Sequence, residues 1–206
     1  MSDVYSLTRG EAQNGLGVFL IDDVGDGSID KVTKLLAGFP RGAERAIGSA
    51  MKRAAASGEA YAARAVRDEY IISASDFKKY TTSRRHVVTD SSGTTVDIEF
   101  RGYHIPLIKF DTRVGKDGRI TTRVKRTSAK ATLDHAFSRT VGRGHTSVFE
   151  RVNEERLPIR ELFGPSTPQM MAYNDDLEQA IGDKVREVFD ERVEHEMLAI
   201  MNGWRK

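Results

Sequence analysis

Between Val96 and Val124 apolar side chains fall at every second position, whereas before Tyr80 and after Asn174 they recur at intervals of three and four. This change of period along the chain restricts it to an α+β fold, because a two-residue period builds a half-buried strand and a 3.6-residue period an amphipathic helix. The switch begins beyond Arg84. After a turn at Ser91-Ser92-Gly93, Val96, Ile98 and Phe100 alternate with Asp97, Glu99 and Arg101. Ile108, Phe110, Thr112 and Val114 then alternate up to Gly115-Lys116-Asp117-Gly118, and Ile120, Thr122 and Val124 alternate beyond it, which predicts a β-hairpin. Arg113, Arg119, Arg123 and Lys125 fall on the opposite parity, so one face of the hairpin is expected to be apolar and the other basic.

The helical stretches frame this sheet. Ser28 and Asp30 are candidate caps for a short helix carrying Leu35, Leu36 and Phe39 and interrupted at Pro40. A long helix is predicted from about Gly42 to Tyr70, with Ala46, Ile47, Ala50, Met51, Ala54, Tyr61, Ala65 and Val66 on its stripe. Its many alanines permit another element to approach closely. Ser73 or Ser75 caps a further short helix through Tyr80. The final helix starts after Thr167-Pro168, or is re-capped at Asn174 and Asp175. It carries Leu177, Ile181, Val185, Val188, Phe189, Met197, Ile200 and Met201, and stops at Asn202-Gly203. The expected fold is a mainly antiparallel sheet packed with a long Ala-rich N-terminal helix and a long amphipathic C-terminal helix. Residues 1–28 are expected to form an arm, polar over Met1 to Gly15, with a short strand at Gly17 to Ile21, and 29–206 a single α+β domain.

Composition decides which functions remain. With 39% hydrophobic and 30% charged residues the chain can bury a core under a heavily charged exterior. A net charge of +2 does not describe a polycation that coats nucleic acid, yet the charge is uneven. From Arg101 to Lys130 nine basic residues face only Asp111 and Asp117, an asymmetry that favours self-complementary association or a one-sided basic surface. The absence of cysteine excludes disulfides, thiolate catalysis and Cys-based zinc sites. No apolar run approaches the roughly 18 residues that span a bilayer, and the chain is expected to be intracellular when made, with no membrane partner.

Candidate chemistry is sparse. His195 lies among Glu191, Glu194 and Glu196 on a charge-rich helix, where solvation explains it better than metal ligation. His135 and His145 lack a nucleophile in any recognisable motif, and Gly142-Arg143-Gly144 lacks the strand, helix and lysine of a phosphate-binding loop and is assigned a turn. No catalytic residue, cofactor or metal is therefore expected. The basic residues Arg113, Lys116, Arg119, Arg123 and Lys125 could track phosphates or meet an acidic partner. Thr127 to Gly144 reads as a connection or weak strand and Ser147 to Val152 as a strand. The segment Arg156 to Ser166 mixes large apolar residues with Pro158, Gly164 and Pro165, resists both helix and central strand, and is expected to be an ordered loop.

That segment carries a resemblance. Arg156-Leu157-Pro158-Ile159-Arg160-Glu161-Leu162-Phe163-Gly164-Pro165-Ser166-Thr167-Pro168-Gln169-Met170 resembles the signature of the prophage minor tail protein Z family. Ile105-Pro106-Leu107-Ile108-Lys109-Phe110, Ala136-Phe137 and Val148-Phe149-Glu150-Arg151 fall in the same order before it. The resemblance covers about Ile29 to Met201. Ser147 stands where the family pattern leads one to expect glycine, and the first thirty residues look like an extension. It implies a non-enzymatic virion protein, added late in tail assembly at the head-proximal end of the tail and acting as a ring, commonly six-fold. The implied partners are further copies, the tail tube protein and the head–tail connector or neighbouring neck proteins, with DNA passing through the lumen. The loop would lock the subunit body or contact a neighbour, with Leu157, Ile159, Leu162 and Phe163 as anchors, and the basic hairpin would face DNA or an adjoining ring. A stand-alone nucleic-acid-binding module using the basic face is the alternative.

Overall fold

The computed structural model describes residues 15–21, 27–39, 41–90, 93–142, 144–174 and 176–204. The expected arm before residue 15, the interruption at Pro40, the turn at Ser91-Ser92, and Arg143 and Asp175 lie outside them. In chain order the elements are β1 (Gly15–Ile21), α1 (Ser28–Leu35), α2 (Gly42–Glu69), α3 (Ala74–Tyr80), β2 (Thr81–Asp90), β3 (Gly93–Gly102), a 3-10 turn (Leu107–Lys109), β4 (Asp111–Val114), β5 (Ile120–Arg123), β6 (Ala131–Leu133), β7 (Ala136–Val141), β8 (His145–Arg151), β9 (Ile159–Glu161), α4 (Thr167–Ala172) and α5 (Leu177–Met201). Among the described residues the fold is α+β, with three small antiparallel sheets and long helices toward both ends of the chain.

These elements form two compact units. Of the described residues, the first unit takes 15–17, Arg64–Thr82 and Phe100–Tyr173, and the second takes Val18–Ala63, Ser83–Glu99 and 174–204.

In the second unit the alanines of α2 do what their size allows. Ala46, Ala50, Met51, Ala54, Ala55 and Ala62 are buried, and Gly58 sits where a Cβ would stand 2.5 Å from Val185 and 3.0 Å from Ile98. Glycine thus lets α2 approach both α5 and β3 closely, which offsets its unfavourable helix propensity of about 1 kcal/mol. Helix α5 buries Leu177, Ile181, Val185, Phe189, Val193, Met197 and Ile200, but Met201 is exposed. It ends as its sequence predicts: Gly203 has φ +68° and Trp204 N–H donates to the Ala199 carbonyl at 2.9 Å, closing the last turn. Helix α1 differs from expectation at both ends. Its cap is Gly27, the Ser28 hydroxyl donates to Asp190 instead, and Leu35 and Phe39 are exposed while Val32 and Leu36 are buried.

The first unit holds two three-stranded sheets, ordered β4-β5-β6 and β7-β8-β9. Thr127 to Gly144, read from the sequence as a connection or weak strand, supplies β6 and β7. β7 pairs with β8 over six residues, from Ala136 opposite Glu150 to Val141 opposite His145. The expected apolar periodicity is missing there because β7 exposes Ser138, Arg139 and Thr140 and buries little on either face. Ser73 caps α3 by accepting from Asp76 N–H. The last helical stretch is two helices, and the second takes Asp176 as its N-cap, with no side-chain cap, in place of the expected caps Asn174 and Asp175. Ser166 and Gln169 make a reciprocal capping box at α4, and α5 begins after the break at Tyr173 and Asn174.

Candidate interface site

The apolar loop is part strand, part buried turn and part exposed tip. After the cis peptide at Leu157-Pro158, Ile159–Glu161 joins β8 as an edge strand, with Arg160 opposite Glu150 and the two side chains ion-paired. An edge is where a segment flanked by prolines can pair. Val152 N–H donates to the Pro158 carbonyl at 3.2 Å and Leu162 N–H to Val148 at 2.9 Å, which fixes the register. The chain then turns inward. Leu107 N–H donates to Leu162 and Gly164 N–H to Ile105, and Leu162 and Phe163 are 2% and 8% exposed. A Cβ on Gly164 would lie 2.5 Å from the Phe110 ring, so this approach requires glycine. Pro165, Ser166 and Thr167 are buried as well.

Two of the four expected anchors are therefore core residues and two are not. Ile159 is half-buried, and Leu157 is 60% exposed, with Arg156, Pro158 and Arg160 also open to solvent. The cause is position: Val152 to Pro158 lie beyond the last ladder pair, Arg151 opposite Ile159, and all seven are exposed among the described residues.

The expected basic hairpin forms, as two four-residue strands with Asp111 opposite Arg123 and Val114 opposite Ile120, while Ile108, expected in the first strand, lies in the 3-10 turn. Ile120 and Thr122 are buried, and the Thr122 and Thr112 hydroxyls hydrogen-bond across the pair at 2.8 Å. Val114, expected on the apolar face, is 53% exposed because it is the last residue before the turn. The basic face is partly offset by acids, and three cations share one of them. Asp111 receives Arg123 at 3.1 Å, Arg113 at 3.3 Å and Lys130 at 3.4 Å. Burial pushes the Asp111 carboxyl up, but Lys130, Arg113 and Arg123 outweigh it and hold the group below its usual range. Lys125 lies beyond β5, beside the isolated bridge between its own backbone and Tyr70. Its ammonium bonds Glu69 at 2.8 Å and stands 5.1 Å from the Tyr70 ring, and Glu69 holds it above the usual lysine value. Arg119 faces Asp117 at 3.7 Å while remaining mostly exposed, and Lys116 makes no ion pair among the described residues. The structure thus brings Arg113 and Arg123 together on one acid and separates Lys125 from them. An acid isolated in a basic run was the signal for Asp111; nothing local marks Glu69, which meets Lys125 across 56 positions.

The histidines do not converge. His145 bonds Glu161 at 2.8 Å across β8 and β9, His195 is exposed on α5, and His135 lies at the β6–β7 turn. Among the described residues no group of three or more His, Asp or Glu could hold a metal ion. His104, which the sequence does not single out, is buried without a hydrogen-bond partner of normal geometry at either ring nitrogen. Burial pushes the imidazole down, and the nearby Gln169 opposes this only partly. Ser147 is fully buried and its hydroxyl also lacks a partner. Compared with protein-family models, curated proteins and solved structures, the chain matches none of them.

Proposed function

We propose that this chain is a non-enzymatic assembly protein of the minor tail protein Z type, a tail-completion subunit that works in a ring at the head-proximal end of a phage or phage-like tail. The observation that carries this reading is the division of the signature loop. Leu162 to Thr167 are consumed by the core, while Leu157 and Val152 remain exposed at a rigidly registered hairpin tip, the arrangement a subunit contact uses. Asp111 and Glu69 offset two of the four charges of Arg113, Arg123, Lys125 and Lys130 and hold these side chains in internal pairs, which supports assembly over the stand-alone nucleic-acid module. In this reading the partners are further copies, the tail tube protein and the connector or neck proteins. The protein is assembled in the host cytoplasm into the virion, and its work is tail maturation and head–tail joining.

Native mass measurement of the purified protein and of tails tests it. The expected species is a closed ring of about six copies of the 22.9 kDa chain, also present in finished particles. A chain that stays monomeric at high concentration and is missing from particles overturns the proposal.

A further inference from the structure

Two exposed tips of the first unit carry apolar residues beside charges of opposite sign. At the β4–β5 turn, Val114 is exposed beside Lys116 and Arg119, which outnumber the Asp117 carboxylate paired with Arg119 and leave the tip net positive, and the turn is closed by Gly115 N–H donating to the Arg119 carbonyl at 2.8 Å. At the β8–β9 tip, Val152 is 55% exposed next to Glu154 and Glu155, which make no side-chain ion pair among the described residues. This second tip is concave. A cavity of about 480 Å³ is lined by Asp134, His135 and Ala136 from the β6–β7 turn and by Arg151, Val152, Asn153 and Glu154. The Arg151 guanidinium there is already engaged, donating to the Glu155 carbonyl at 3.4 Å and standing 6.0 Å from the Phe137 ring. Neither contact cancels its charge, but the two carboxylates of Asp134 and Glu154 outnumber it, so the lining is net negative.

We infer that the β4–β5 tip of one copy seats in the β6–β7 and β8–β9 cavity of a second copy, Val114 against Val152 and Lys116 and Arg119 against Asp134, Glu154 and Glu155. The inference rests on the ring reading above and names its contact. A convex basic tip and a concave acidic tip are different patches of one chain, so the contact is heterologous and repeats from copy to copy, which is the kind that closes a ring. Opposite charges around a small apolar centre fix orientation as well as attraction.

Charge exchange in the full chain tests it. Lys116→Glu with Arg119→Glu makes both tips acidic, and Glu154→Lys with Glu155→Lys makes both basic. All four residues are exposed, so circular dichroism melts should stay near the unsubstituted protein's. Each variant alone should associate at least about tenfold more weakly, because like charges now meet. An equimolar mixture should restore rings in which the two variants alternate, seen by native mass as equal numbers of each. If both variants assemble alone as the unsubstituted protein does, the inference fails while the ring reading stands. If both fail and the mixture does not restore assembly, the contact lies elsewhere and the inference is again overturned. An unsubstituted protein that never associates overturns both.

Discussion

His104 shows how one buried side chain ties stability to pH. Its folded-state pKa lies below the ordinary 6.5, so between the folded value and 6.5 the unfolded chain binds more protons than the folded one. The stability held by the neutral ring is complete above 6.5 and is lost as pH falls below it. A plot of melting temperature against pH should drop on that side, and His104→Gln, which keeps a neutral polar group, should flatten the drop. An unchanged profile in the variant would assign the acid sensitivity elsewhere, the paired carboxylates being the alternative. Asp76 and Asp111 act only at lower pH. Burial raises the Asp76 carboxyl, but the Ser73 hydroxyl and Lys109 outweigh it, so its contribution, like that of Asp111, is present above the usual 3.8 and disappears as pH falls through the folded value.

At the scale of elements, the signature loop joins two jobs that mutation can separate. Phe163→Ala removes a buried ring and should cost about 3–5 kcal/mol of stability, with ring assembly lost only through unfolding. Leu157→Ala should leave stability within about 0.5 kcal/mol, since the side chain is mostly in solvent, yet weaken association. Denaturant melts read beside native mass measurements check both, and a Leu157 variant that assembles normally removes that residue from the interface. The same loop shows what the sequence can and cannot express. Helix α2, helix α5 and the β4–β5 hairpin were legible because each carries a period of its own. Strands β6, β7 and β9 were not, since short strands with weak alternation are held by ladder partners that a local window does not contain. The hairpin's positive residues were visible and its charge state was not, because the decisive acids are Asp111 across the strand pair and Glu69 on a helix far back in the sequence.

For the whole molecule, a net charge of +2 and the partial offset of the hairpin cations by Asp111, Asp117 and Glu69 reduce the field with which a polyanion could be held. The purified protein should bind duplex DNA weakly and without a steep salt dependence. Saturable binding that falls by orders of magnitude with rising salt would instead favour the nucleic-acid module. Each compact unit is woven from three stretches of sequence that alternate along the polypeptide. No single cut can release either one intact, and terminal trimming that reaches α5 takes away part of one unit without freeing the other. Dissection by truncation is therefore the wrong tool for this protein, and its parts have to be interrogated by substitution within the uncut chain.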